Sequence, residues 1–312
     1  MDGGWTRPQG NSMCCRLVKE LYKPPIARAM MPPTAALSYR QLALTLLRVP
    51  DPFAHFVPPP DIAPSDWYPH SALEKQPTLA QVLAKEVDGY MLELGSFIGN
   101  SAAAWVRALR AVGKPDASVV CMDTWLGDVQ MWHWRGTWLT AGKLGEPRLY
   151  EQFMTNSRAK NVSSNIVPMR TSAVVGLRYL RDLIVAGKLP PPKVIYLDAA
   201  HMYPETQFEA EAAWEVLAPG GYLIGDDYDH YWPEVQQSVN EFVLRKGPTA
   251  FVPPARFTAN WPRMLTQSSF GRVKLLDQYA LHVDMGGVAP LLKQAQWILK
   301  KAPDNEGHGA DP

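Results

Sequence analysis

The chain is poor in cysteine, in long apolar runs and in net charge, and each shortage removes a class of protein. Among its 312 residues only Cys14, Cys15 and Cys121 occur, with no Cys-x-x-Cys pair. Such a set builds neither a disulfide framework nor a zinc site, and a reducing compartment suits it best. No apolar run approaches the roughly 20 residues that cross a bilayer. The formal net charge of +1 provides no global attraction to nucleic acid or to an anionic membrane. No nucleic-acid or membrane partner is therefore expected, and a homo-oligomer is left open. A cytoplasmic location is expected. One alternative to it is organelle targeting, because the first fifty residues carry seven Lys or Arg against Asp2 and Glu20.

What is present is ordinary for a globular protein: 46% hydrophobic and 20% charged residues. Residues 1–34 read as a leader broken by Pro24-Pro25 and Pro32-Pro33. A short helix over Ser38–Arg48 precedes a proline-rich extended segment to about residue 72. Short apolar runs then alternate with longer amphipathic ones. The runs at Tyr90–Leu94, Ser118–Met122, Ile166–Met169, Lys193–Leu197 and Tyr222–Ile224 predict strands. Helices are predicted between them, each closed by glycine or proline signals, and two weaker strands follow at 250–252 and 279–283. This pattern predicts an α/β fold, doubly wound, with a mostly parallel seven-stranded sheet and helices on both faces. Right-handed crossovers place every parallel strand's C-terminal end on one edge, where such sheets bind ligands.

The polar motifs all follow strand ends. Glu93-Leu94-Gly95-Ser96-Phe97-Ile98-Gly99-Asn100-Ser101 passes from a strand through a glycine turn into a helix, whose first N–H groups are free for a ligand. It lacks the third glycine of a dinucleotide fingerprint, and a plain structural turn explains the glycines equally well. Asp123 ends the next strand, where an acid accepts hydrogen bonds from the ribose of an adenosine-type cofactor, and Trp125 is placed to pack on the adenine. Asp198-Ala199-Ala200-His201 follows the fourth strand and Asp226-Asp227-Tyr228 the fifth. Three carboxylates crowded at one point raise one another's pKa values unless a cation joins them, and Mg²⁺ is the first choice for an all-oxygen set. The competing reading of Asp226 or Asp227 is a helix cap. The loop from Trp125 to Pro147 carries Trp132, His133, Trp134 and Trp138, enough to enclose an apolar or sugar-like acceptor or to pack beneath the leader. His230, Tyr231 and Trp232 lie close enough in sequence to line the same pocket.

Over Val194–Tyr203 and Trp214–Tyr228 the order strand, acid, His-x-Tyr, helix, Pro-Gly-Gly, strand, Asp-Asp-Tyr resembles the class I S-adenosylmethionine-dependent methyltransferases. More narrowly it resembles the Methyltransf_24 type, relatives of macrocin O-methyltransferase and the cephalosporin-hydroxylase-like group. The likeness implies a Rossmann-like methyltransferase domain over 75–285; outside it, residues 1–74 are expected to pack on or flank the core and 286–312 to form a C-terminal helix and flexible tail. It implies S-adenosylmethionine as cofactor, held by Glu93, Gly95, Ser96, Gly99 and Ser101 at the methionine end. Asp123 and Trp125 then serve the ribose and adenine, joined by Thr171, Ser172 and Asp198. Asp198, Asp226 and Asp227 match metal-binding acids of the metal-dependent members. Some relatives carry an acid two residues past the first Asp, where this chain has Ala200, which makes His201, with Asp198, the catalytic candidate.

The resulting expectation is O-methylation of a small-molecule hydroxyl. The cation lowers the hydroxyl pKa, and His201, at an ordinary pKa of about 6.5, takes the proton. A structural hydrogen bond is the alternative role for His201. Two other functions compete: a metal-dependent glycosyltransferase, and a catalytically silent binding module of the same fold.

Overall fold

The structure, a computed structural model, describes residues 37–65, 77–133, 142, 144–250, 272–276, 280–284 and 295–303. Its strands are β1 (Tyr90–Leu94), β2 (Ser118–Asp123), β3 (Ile166–Arg170), β4 (Val194–Leu197), β5 (Tyr222–Gly225), β6 (Arg272–Leu276), β7 (Ala280–Asp284) and β8 (Ala295–Lys300). Its helices are α1 (Tyr39–Leu47), α2 (Pro77–Ala84), α3 (Asn100–Ala111), α4 (Val129–His133), α5 (Leu149–Ala159), α6 (Ala173–Val185), α7 (Glu205–Val216) and α8 (Pro233–Lys246). One sheet runs in the order β3-β2-β1-β4-β5-β8-β7-β6. β1 to β5 are parallel, and β8, β7 and β6 continue the sheet as antiparallel neighbours.

The doubly wound, mostly parallel sheet expected from the sequence is the one observed, with two differences. It has eight strands rather than seven. The described part of the expected C-terminal helix is β8, wedged between β5 and β7. The β5 edge is too apolar to face water, and the tail covers it.

Strand residues alternate between two cores, as the two-residue period of a strand requires. Met91, Val119, Cys121, Val194, Tyr196 and Ile224 face α2, α3 and α5. Leu92, Val120, Met122, Ile195, Leu197 and Leu223 face α1, α6, α7 and α8. Each of β1 to β5 is therefore buried on both faces, which is why its sequence reads as a nearly unbroken apolar run. α1 opens at Ser38, whose hydroxyl accepts the Gln41 N–H while Gln41 accepts the Ser38 N–H in return. This capping box fixes the helix that lays Leu42, Ala43 and Leu46 on the α6–α7 face. The proline-rich segment crosses the opposite face, where Phe53 and Ile62 are buried and the Ser65 N–H donates to Asn156.

Candidate active site

Register aligns the functional residues. Leu94 pairs with Met122 on one side and with Leu197 on the other, and Leu197 pairs with Gly225. The next residue on each strand is Gly95, Asp123, Asp198 or Asp226, so all four stand on one rim. Backbone bonds carry the row past the strand ends: Gly95 N–H to Met122, Asp198 N–H to Leu94, Asp226 N–H to Leu197.

At the β1 end, Gly95 has φ +82°, and a Cβ there would lie 1.9 Å from the Asp198 carbonyl oxygen. The glycine is required by the close approach of the β4 end, rather than by a ligand alone. Gly99, φ +88°, starts α3 without a side-chain cap, and its would-be Cβ points at Phe153, 3.1 Å away, not into the cavity. Beneath the turn, the fully buried Glu93 accepts the Ser96 hydroxyl at 2.6 Å, while its Oε1 has no partner among the described residues. Burial raises the Glu93 carboxyl to about 7.

Asp123 braces this turn. Its Oδ2 accepts the Ser96 and Phe97 N–H groups, both at 2.9 Å, and its Oδ1 accepts the Trp125 N–H at 2.7 Å. Burial still raises its pKa above the usual value, against the lowering effect of those three bonds. Trp125 departs from expectation. It is fully buried, donates its indole N–H to the Phe97 carbonyl at 2.8 Å, and packs edge-on against Tyr150 and tilted on Phe153. It is part of the core behind the turn and offers no face to an adenine in the cavity. Thr171 also turns away, its N–H donating to Asp123 and its methyl covering Gly176, whereas Ser172 reaches the cavity wall.

At the β4–β5 end the expected trio of acids divides. Asp226 accepts the buried Tyr196 hydroxyl at 2.8 Å and the Asp227 N–H at 3.0 Å. Burial first, then the charges of Asp227 and Asp198, push its pKa well above the usual value. Asp227 takes φ +59°, which swings its carboxylate toward β4. His201 joins it there: Nε2 lies 2.9 Å from Asp227 Oδ2 and 3.4 Å from Asp198 Oδ1. Ligand atoms of Asp198, His201 and Asp227 all fall within 4.8 Å of one another. The donor set is thus two carboxylates and an imidazole, with Asp226 held behind them by Tyr196. Nor is His201 an unperturbed imidazole. Burial lowers its pKa, but the carboxylates of Asp128, Asp198 and Asp227 outweigh it and raise the pKa well above 6.5.

A cavity of about 910 Å³ connects the two ends. Gly95, Ser96, Ser101, Asp123, Ser172 and Asp198 line it, along with His201, Asp226 and Asp227, while Glu93, Gly99, Trp125 and Thr171 do not. Its outer wall is apolar, with Met202, Tyr231 and Trp232 from the loops after β4 and β5, Phe208 of α7, and Val129 and Met131 of α4. Trp232 packs on the His201 ring at 4.4 Å. Trp132 is half exposed and bonded to Leu126, Trp134 and Trp138 lie outside the described residues, and His230 stacks on Tyr231 away from the wall. Sequence reasoning missed Asp128 and Glu209. Asp128 follows Gly127 as a helix cap, accepting the Met131 N–H at 2.7 Å. Glu209, one turn inside α7, accepts the Ala200 N–H at 3.1 Å, and burial raises its carboxyl to about 7. Eight carboxylates line the cavity and, among the described residues, no Lys or Arg does.

No curated protein sequence is significantly similar to the chain. Among solved structures, an rRNA-methylase from Clostridium thermocellum is 12% identical, with TM-score 0.46, over 73% of this chain and 96% of its own. An O-methyltransferase from Bacillus cereus, solved with SAH, is 15% identical, TM-score 0.42, over 88% of this chain and 94% of its own. The O-methyltransferase TomG from Streptomyces achromogenes, solved with SAM, is 16% identical, TM-score 0.44, over 88% and 92%. The family model described as a methyltransferase domain matches residues 92–228, the stretch from β1 through the Asp226-Asp227 pair. Those residues hold the whole rim and most of the cavity wall, and over them the chain is similar to the methyltransferase domain of that family model.

Proposed function

We propose that the protein O-methylates a small-molecule hydroxyl with S-adenosylmethionine, assisted by a divalent cation such as Mg²⁺. The observation that carries the reading is the continuous cavity from the Gly95 turn to the Asp198–His201–Asp227 cluster. At about 910 Å³ it stands near the upper end of ligand pockets, roughly 300–1,000 Å³, and has room for a cofactor and an acceptor together.

The residues present fit both groups. Gly95 and Ser96 would meet the methionine part. Asp123, whose oxygens keep lone pairs beyond the three N–H bonds, would receive the ribose, and Ser172 stands where the adenine would end. The carboxylates of Asp198 and Asp227, converging within 4.8 Å, suit a divalent cation that would neutralise their repelling charges and leave His201 Nε2 free beside it. When bound, the cofactor supplies a methyl group on a sulfonium, and the cation lowers the pKa of the acceptor hydroxyl. With the charge of Asp198 and Asp227 so compensated, His201 loses two of the anions that hold its proton, and its Nε2 can take the hydroxyl proton. The Met202, Phe208, Tyr231 and Trp232 wall would orient an apolar or ring-shaped acceptor and exclude water, a contribution of roughly 7–11 kcal/mol when alignment is good.

A glycosyltransferase reading is less well served, because a nucleotide diphosphate would meet eight carboxylates and no described cation on the wall. Incubation with labelled S-adenosylmethionine and fractionated cell extract, with and without EDTA, tests the proposal. Label should pass to a small molecule, and EDTA should suppress the transfer. Binding of UDP-sugars in preference to S-adenosylhomocysteine would overturn it.

A further inference from the structure

His201 has two ring nitrogens, and the cluster above uses one. Nε2 faces Asp227 and Asp198. Nδ1 is screened from solvent and has no hydrogen-bond partner among the described residues, and a carboxylate oxygen of Asp128 stands 3.7 Å from it. A buried imidazole N–H without an acceptor costs about 1–3 kcal/mol, so its surroundings should be arranged to satisfy it. Asp128 is the group placed to do so. Its other oxygen is fixed by the Met131 N–H at 2.7 Å, so the carboxylate is held at the start of α4 rather than swinging freely. The segment Gly127–Met131 is itself a cavity wall. Inward movement by less than 1 Å would bring the pair from 3.7 Å to a hydrogen bond of ordinary length, ~2.9 Å. That bond would also tie the loop after β2, beside the cofactor end, to the loop after β4, beside the acceptor end.

We propose that Asp128 is a positioning residue for His201. It accepts the Nδ1–H, fixes the ring so that Nε2 points at the Asp198–Asp227 pair, and draws the 127–131 segment over the cavity. A carboxylate on the far nitrogen is the usual way to set the orientation and basicity of a working imidazole, with effects of about 10- to 100-fold when it is removed. The role assigned to His201 rests on the methyltransferase reading, but the contact itself can be examined without turnover.

The test uses full-length protein labelled with ¹⁵N at histidine, the His201 ring signals being assigned by their loss in His201→Gln. In the wild type, Nδ1 should carry a proton. Asp128→Asn keeps an oxygen to cap Met131 but turns an amide NH₂ toward Nδ1, a donor where an acceptor stood. The Nδ1 signal should then move from the protonated to the unprotonated range, and Asp128→Ala should give a mixture of the two. His201 signals in Asp128→Asn that superimpose on those of the wild type would overturn the proposal. Calorimetry with S-adenosylhomocysteine runs beside it. Retained binding by Asp128→Asn confirms that the change is confined to His201, whereas absence of binding by the wild type sinks the cofactor reading and leaves the ¹⁵N result to judge Asp128.

Discussion

At the β1–β2 end of the cavity, Asp123 accepts three backbone N–H groups and locks the Gly95 turn, while at the β4–β5 end Asp198, Asp226 and Asp227 crowd together with one imidazole among them. The first arrangement is braced from within: three N–H groups hold Asp123, and the glycine turn has little freedom left. The second is short of positive charge, and its acids titrate high or lean on His201. One sheet edge thus offers a rigid seat at one end and an unsatisfied electrostatic trap at the other. On the proposed function, the first would seat the cofactor and the second a cation. Substitutions at the two ends should therefore fail in different ways, the first through folding and cofactor binding, the second through chemistry.

The largest effect is expected at the rigid end. In Gly95→Ala the new methyl would meet the Asp198 backbone oxygen at 1.9 Å, with φ at +82°. Neither backbone can yield without breaking the β1–β4 register, so stability should fall by more than ~3 kcal/mol, seen as a lower melting temperature and loss of S-adenosylhomocysteine binding. A variant with native melting and binding would show that the turn is not locked.

At the trap the opposite is expected. Asp198→Asn and Asp227→Asn should lower methyl transfer by ~100-fold or more while leaving S-adenosylhomocysteine binding and melting near the wild-type values. Asp226→Asn should melt near the wild type, since burial and two neighbouring acids already favour the neutral form of that carboxyl. Equal loss of cofactor binding in all three would erase the distinction between the ends.

Glu93 sharpens the comparison through pH. Its folded pKa is raised by burial from 4.5 to about 7, so the folded state holds a proton that the unfolded chain has already released between those values. Stability from this group is full below about 4.5, declines as pH rises, and is gone above about 7, at ~1.4 kcal/mol per pH unit. Glu93→Gln should flatten that decline, and chemical denaturation at a series of pH values measures it. An unchanged slope would mean that the buried carboxyl stays ionised.

The sheet and its rim were legible because apolar runs buried on both faces name the parallel strands, and parallel register then fixes what stands at their ends: Gly95, Asp123, Asp198, Asp226. Side-chain direction just beyond a strand was not. Asp226 and Asp227 are neighbours, and only the φ of +59° at Asp227 decides which one reaches His201. The tail misled for another reason. A C-terminal helix is expected within 286–312, but the β5 edge supplies backbone partners, and Ala295–Lys300 is a strand. Asp128 was hidden because its importance arises across space, from a nitrogen on another loop.

Trp125 gives the smallest and most discriminating prediction. An indole two residues past the ribose acid invites the reading of an adenine platform, yet this one lies behind the turn, bonded to Phe97 and packed on Tyr150 and Phe153. Trp125→Phe keeps most of that packing and removes the 2.8 Å bond to the Phe97 carbonyl. The expected cost is ~1–2 kcal/mol of stability with little change in S-adenosylhomocysteine affinity, because the brace from Asp123 to Ser96 and Phe97 survives. Were the indole stacked on the base, the weaker phenyl ring would surrender part of the ~1–3 kcal/mol that such stacking provides, and affinity rather than melting would carry the loss. Calorimetry and thermal melting on the same variant separate a core side chain that holds the seat in shape from one that touches its occupant.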